Sequence, residues 1–416
     1  MRYVIALSVL LAMVAGSHWF LYDRLVRKPR WSRAIRWGAG LGFVGFGLLV
    51  PVAMVGVRMW PRPLANPLGW VAFTWMGCVF FLGLTTAAVE LVHLPRAVRR
   101  RLMPALRGLR RPRAERLASD ANGNPAHGTG SATAGPSPAG FEPAVDVGRR
   151  RLLAGGAAAL GAGGALWSFR SAQHLDFPEV EVRLPRWPKA LSGLTLVQLS
   201  DVHIGPLLGA GWLRSVVQEV NRLRPDLVVV TGDLVDGSVR ELREHVAPLA
   251  RVRARYGRFF VTGNHDYYSG ADAWCQQMRR FGYRVLRNEF VRIEDGRASF
   301  QLAGIDDFFA TGGKGLGSRL GRELDDQAST VLLAHQPRSI EDAVGMGAEL
   351  QVSGHTHGGQ LYPMAELVRM VTPYVAGLYA HDPRTQIYVS RGTGFVGPPM
   401  RFAAPAEVTR LVLVPA

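Results

Sequence analysis

Five short polar clusters hold the residues best suited to chemistry: Asp201-Val202-His203, Gly232-Asp233-Leu234-Val235-Asp236, Gly263-Asn264-His265-Asp266, His335, and Gly354-His355-Thr356-His357. Each follows a short apolar run, such as Leu227-Val228-Val229-Val230-Thr231. Such runs read as buried strands, so every cluster falls at a carboxyl strand end, where α/β sheets place ligand sites. Singly, each has an ordinary explanation: a turn acid, an aspartate helix cap, a Gly-Asn turn, a structural histidine. Together they would be five unrelated accidents at the same kind of place. Jointly they supply two aspartates, one asparagine and four histidines able to bind metal, plus one spare histidine. That is enough for two divalent ions sharing one carboxylate. Mixed oxygen and nitrogen donors suit Mn, Fe or Zn and argue against calcium or a thiolate site. Two such ions about 3.5–4 Å apart can hold a hydroxide and clamp a phosphoryl group for in-line attack.

These clusters need a framework. Apolar runs predict strands at 194–200, 226–231, 258–262, 300–305, 330–334, 350–353, 386–390 and 407–414. Helical periodicity appears near 210–223, 239–254, 270–281 and 338–345. Strand and helix alternate at first, which implies an α/β layered domain over residues 178–416. A chain of that length buries a large core.

The five clusters, in this order, resemble the motif set of the calcineurin-like metallophosphoesterases, over about residues 190–416. The resemblance implies a sandwich of two mixed β-sheets flanked by helices. It implies a first metal held by Asp201, His203, Asp233 and His357, and a second held by Asp233, Asn264, His335 and His355. His265 is then not a ligand but serves the leaving group, and Asp266 orients it. Asp236 hydrogen-bonds a ligand or the substrate, or else is a solvated loop acid. Arg391 heads a Gly-rich turn, Arg391-Gly392-Thr393-Gly394, suited either to phosphate contact or to a hairpin. Together with the apolar amino-terminal segments, the motifs look most like a bacterial membrane-anchored branch. Some relatives there cleave the pyrophosphate of UDP-diacylglucosamine. The implied activity is hydrolysis of a phosphodiester or pyrophosphate, at a lipid or cell-envelope head group. A binding protein that keeps the metal fold without turnover is the alternative; the complete ligand set and His265 speak against it. The loop carrying Phe395, Met400 and Phe402 reads as packing, with contact to a lipid tail as its alternative.

The first part of the chain has a different character. Residues 1–95 contain three apolar stretches, at 3–22, 34–57 and 68–92, each long enough for a bilayer. The formal net charge is +17, but residues 1–151 carry 21 Lys+Arg against 6 Asp+Glu, and the remainder is nearly balanced. The basic excess therefore sets membrane orientation and is no nucleic-acid footprint. Residues 23–36 and 93–151 are arginine-rich, which places them inside and residues 58–67 outside. Residues 96–148 read as a basic, disordered cytoplasmic linker, rich in Ala, Gly, Pro and Ser over 117–147. Arg149-Arg150-Arg151-Leu152-Leu153 and the apolar run behind it, residues 149–170, read as a fourth span or a twin-arginine-like signal anchor. Either carries the chain outward, so the expected location is the inner membrane, multi-pass, with residues 178–416 on the periplasmic side. Only two cysteines occur, Cys78 and Cys275, so no disulfide framework is expected.

Overall fold

The structure is a computed structural model and describes residues 2–109, 147–308 and 320–416. The chain forms two compact units, one of residues 1–47 and 78–163, the other of residues 48–77 and 164–416. Among the described residues, the first part of the chain holds the α-helices α1 (Arg2–Leu21), α2 (Arg33–Met59), α3 (Arg62–Leu109) and α4 (Val147–Ser171), with a π-helical turn at Tyr22–Arg27 behind α1. Among the described residues, α2, Arg62–Val92 of α3, and α4 are long and apolar enough to cross a membrane. Within the first unit, Thr85 Oγ1 donates to the Ala157 carbonyl at 2.9 Å, and Arg24 pairs with Glu90. Gly161 permits this close approach: a Cβ there would lie 2.9 Å from the Leu82 backbone. Residues 96–109, expected to begin the linker, continue α3 as helix. The rest of that expected linker, residues 110–146, lies outside the described residues.

The second unit is built on two six-stranded mixed sheets, beside a short parallel pair of β1 (Leu175–Asp176) and β13 (Ala406–Glu407). The first has the order β2 (Glu179–Leu184), β14 (Thr409–Pro415), β3 (Leu194–Leu199), β4 (Leu227–Thr231), β5 (Gly257–Val261), β6 (Arg284–Val285). Strands β3 to β6 are parallel, while β14 runs antiparallel to β3. The second has the order β11 (Gly377–Ala380), β12 (Gln386–Val389), β10 (Leu350–Ser353), β9 (Thr330–Leu333), β8 (Ala298–Gly304), β7 (Glu289–Asp295), with β8, β9, β10 and β12 parallel.

Period-two alternation explains how the layers stack. In β4, Leu227 and Val229 join the core shared with Phe300, Val331, Leu350 and Val352 of the other sheet. Val228 and Val230 face the opposite way, against α5 (Ala210–Arg222), α6 (Val239–Val246) and α8 (Ala271–Arg280). The far face of the second sheet packs Leu332, Ile387 and Val389 under α9 (Ile340–Gly345). The order is helices, sheet, sheet, helix, as expected. Several elements differ from the periodicity reading, among them the unexpected strands β2, β6 and β11. The helix expected over 239–254 stops at Val246 and tightens into a 3₁₀ turn, because Pro248 cannot extend the α ladder. Strand β7 was not expected, although Phe290-Val291-Arg292-Ile293 precedes a turn at Asp295-Gly296 and pairs with β8 as a hairpin.

Candidate metal centre

The loops after β3, β4 and β5 of one sheet and β9 and β10 of the other converge. Backbone bonds lock them together: Asp201 N donates to Gly232 O at 3.0 Å, His203 N to Asp233 O at 3.1 Å, and Gly354 N to His335 O at 2.9 Å. Two glycines permit the approach. A Cβ at Gly263 would collide with Asp233 Oδ1, and one at Gly354 with Asp201 Oδ2. Five of the expected ligands pay in backbone strain: Asp201, His203, Asp233, His355 and His357 all have φ between 49° and 72°. Non-glycine residues reach that left-handed region at a cost and cluster there at functional sites.

Among the described residues the side chains form three groups of close donors. Asp201, His203 and His357 make one, all buried; Asp233 and His335 make the second with the half-buried His355; and His203 belongs also to a third, with the half-buried Asp236 and His265. His203 Nε2 lies 3.1 Å from His357 Nε2, and His335 Nε2 lies 3.2 Å from His355 Nδ1. Asp233 Oδ2 reaches the first two groups, 3.2 Å from His335 Nε2 and 3.9 Å from His203 Nε2. Asn264 Oδ1 is buried without a hydrogen-bond partner. Facing imidazole nitrogens and an orphaned buried carbonyl suit cations better than they suit one another. The residues present therefore fit a pair of divalent ions.

The electrostatics agree. Burial disfavours the imidazolium of His203, yet the carboxylates of Asp236, Asp233 and Asp201 outweigh it and hold its pKa up at about 9. Burial is likewise outweighed at His335, where Asp233 drives the value to about 10. Burial and the His335 charge push His355 down to about 3, and burial with His203 pushes His357 down as well. The site thus attracts positive charge at half its histidines and refuses protons at the rest.

A stability profile follows. An imidazole raised on folding contributes stability fully below the ordinary value of about 6.5 and loses it as pH rises through the folded value. One lowered on folding loses stability as pH falls below about 6.5. The metal-free protein is expected to show its highest Tm near pH ~6.5, falling toward pH ~9–10 as His203 and His335 deprotonate and falling again on the acid side. Bound cations replace those protons, so the alkaline decline should disappear on metal loading. Thermal scans with and without chelator check this; a metal-free Tm that stays flat above pH ~6.5 would contradict the charge assignment.

His265 lies in the first turn of the short helix α7 (Asn264–Tyr268) and remains partly exposed at the cluster. Its Nδ1 pairs with Asp236 Oδ1, while Asp236 Oδ2 lies 3.0 Å from His203 Nδ1. Asp236 therefore orients two histidines at once. Burial alone would raise its pKa, but those two imidazoles hold it well below the usual carboxylate range. Asp266 departs from expectation. Its carboxylate accepts from Gly263 N at 2.8 Å and Leu234 N at 3.0 Å, so it ties two loop backbones together and does not hold the His265 ring. Burial and the Asp233 charge raise it to about 7. Arg391, read either as a phosphate contact or as part of a hairpin, pairs its guanidinium with Glu407 Oε2 at 2.6 Å, a contact within the scaffold. The residue that periodicity did not single out is Arg401. It is fully buried, donates to the Arg391 carbonyl at 2.7 Å and the Ala404 carbonyl at 3.0 Å, and reaches His357 Nδ1 at 3.3 Å. No motif marks it; only its position in an otherwise apolar loop does.

Comparison with known proteins gives a consistent family. Residues 194–359 match the model for calcineurin-like phosphoesterase. A transmembrane protein with metallophosphoesterase domain from Danio rerio is 38% identical over 254 residues, covering 58% of each chain. An uncharacterized metallophosphoesterase from Helicobacter pylori is 37% identical, covering 53% of this chain and 60% of its own. The chain thus spans less than two thirds of the length of these relatives. A metallophosphoesterase from Aquifex aeolicus is 34% identical over 223 residues, covering 52% of this chain and 83% of its own.

Proposed function

The chain belongs to the calcineurin-like phosphoesterase family, and from that premise we propose that it hydrolyses a phosphodiester or pyrophosphate bond at a lipid or cell-envelope head group. The observation that supports this most is Asp233, set between two groups of metal donors beside an oriented, partly exposed His265. Asp201, His203, Asp233 and His357 would hold one ion, and Asp233, Asn264, His335 and His355 the second, as Mn, Fe or Zn. Two divalent ions would supply the charge that stabilises phosphoryl transfer and activates water. The protein's own residues do the rest. Asp236 accepts from His265 Nδ1 and fixes the ring, leaving Nε2 to protonate the departing oxygen. Gly263 and Gly354 let the loops approach closely.

Full-length protein loaded with Mn, Fe or Zn should turn over bis-p-nitrophenyl phosphate and lose that activity to a chelator. A fully metal-loaded protein without turnover would favour a binding role instead.

The arginine asymmetry supports an inner-membrane, multi-pass arrangement, with a twin-arginine-like start to α4 and residues 178–416 in the periplasm. A reporter fused after Ala416 should be active only outside the cytoplasm. A cytoplasmic signal would reverse the topology.

A further inference from the structure

A cavity of about 460 Å³ opens on the metal centre, within the roughly 300–1,000 Å³ typical of small-molecule sites. We propose that it binds an amphiphilic phosphoester whose head lies against His203, Asp236 and His265 and whose hydrocarbon chain runs between the ends of α2 and α3. This rests on the phosphoesterase reading above and names the substrate class for the same site.

The cavity's chemistry changes from one wall to the other. At the metal centre it is polar, with His203, Asp236, His265 and Tyr268. The facing wall comes from the end of α2 and the start of α3. Met54 and Val57 of α2, and Phe73 and Met76 of α3, give it an apolar surface, continued by Phe395. Arg58 and Arg62 also line the cavity and are cations suited to an anionic head. Arg62 also donates to the Gly205 carbonyl at 2.9 Å, which fixes the start of α3 to the loop that carries His203. A further observation points to a ligand: Asn66, in the same wall, has its side-chain oxygen buried with no hydrogen-bond partner. It offers an acceptor to a hydroxyl or amide of a head group.

A small hydrophilic phosphoester would leave the apolar wall unused. A chain-bearing one uses both walls, and it has a route. Both helices are long and apolar enough to cross a membrane, so their ends are where a bilayer-held chain would meet the site. Trp60, between them and half exposed, is the residue type that marks a membrane–water interface.

The test compares two soluble probes, hexylphosphonate and methylphosphonate, titrated calorimetrically into full-length, metal-loaded protein in detergent, with empty micelles as blank. A buried methylene adds about fourfold in affinity, so hexylphosphonate should bind at least about tenfold more tightly. Ala65→Trp places an indole in the cavity from a buried position on α3 and should bring the two affinities within about twofold. Met76→Ala, which removes apolar wall without adding bulk, should shrink the hexyl preference and serves if the tryptophan variant does not fold. Metal content reports whether each variant is folded. Equal affinities in the unaltered protein, or a preference untouched by a folded cavity variant, would overturn the amphiphile proposal. Failure of methylphosphonate to bind the metal-loaded protein at all would instead count against the phosphoesterase reading.

Discussion

Asp233→Asn is expected to strip metal from both positions and to abolish turnover. Among the described residues, Asp233 Oδ2 is the one carboxylate oxygen paired with both His335 in one donor group and His203 in the other. The amide replaces half of that anionic carboxylate with a nitrogen that cannot accept, and it removes the charge that favours cations at both places. Loss of an outer hydrogen-bonding partner alone typically costs about 10–100-fold in affinity or activity. A shared ligand should cost more, on the order of 10³-fold or beyond in kcat/KM. Metal analysis of the purified variant reads the first effect and turnover of a chromogenic diester the second. A variant that keeps two ions per chain and a near-normal rate would remove Asp233 from the bridging role. Local damage is also informative, since Asp233 Oδ1 accepts from His265 N at 2.8 Å. Part of any rate loss should therefore appear as misplacement of α7, and Asp233→Glu, which keeps the charge, should recover metal better than rate.

His265→Ala is expected to keep its metal and lose about 10²–10⁴-fold in rate, the usual share of a positioned general acid. Its ring is held through Nδ1 by Asp236 and stands edge-on to the His203 ring, with centroids 4.7 Å apart. The loss should shrink for nitrophenolate leaving groups, which depart without a proton, and grow for alkoxides. Equal losses for both would point to charge stabilisation of the transition state instead. Loss of metal would make His265 a ligand. Asp236→Asn separates the two histidines it serves. It should cost about 10–100-fold, as outer partners do, and weaken metal binding through His203 as well as proton transfer through His265.

Much of this protein could be read from short stretches of sequence. Strand positions followed from apolar runs such as Leu227–Thr231, because a buried parallel strand needs apolar side chains on both faces. The polar clusters could be found because a metal centre at strand ends interrupts such runs abruptly, with glycines where backbones meet. Gly263 and Gly354 are there because a side chain would occupy the carboxylate's place, a requirement of one position and its neighbours.

What tertiary structure alone decided is where side chains point once the loops are folded. Asp236 and Asp266 are both aspartates within a few residues of the cluster, and sequence proximity assigned the wrong one to His265. The turn from Gly263 into α7 aims the Asp266 carboxylate back at backbone amides, while the loop after β4 carries Asp236 across to the imidazole. Arg391 sits in a phosphate-like turn, but Glu407, sixteen residues on, claims its guanidinium through a contact no local pattern announces. Arg401 is buried because carbonyls from several separate turns converge on it. The cavity wall from α2 and α3 belongs to the same class. Those residues read as membrane helix by composition, which measures how apolar a segment is. It does not register that Met54, Phe73 and Asn66 come to face His265, more than a hundred and eighty residues away in the chain, because that depends on long-range packing.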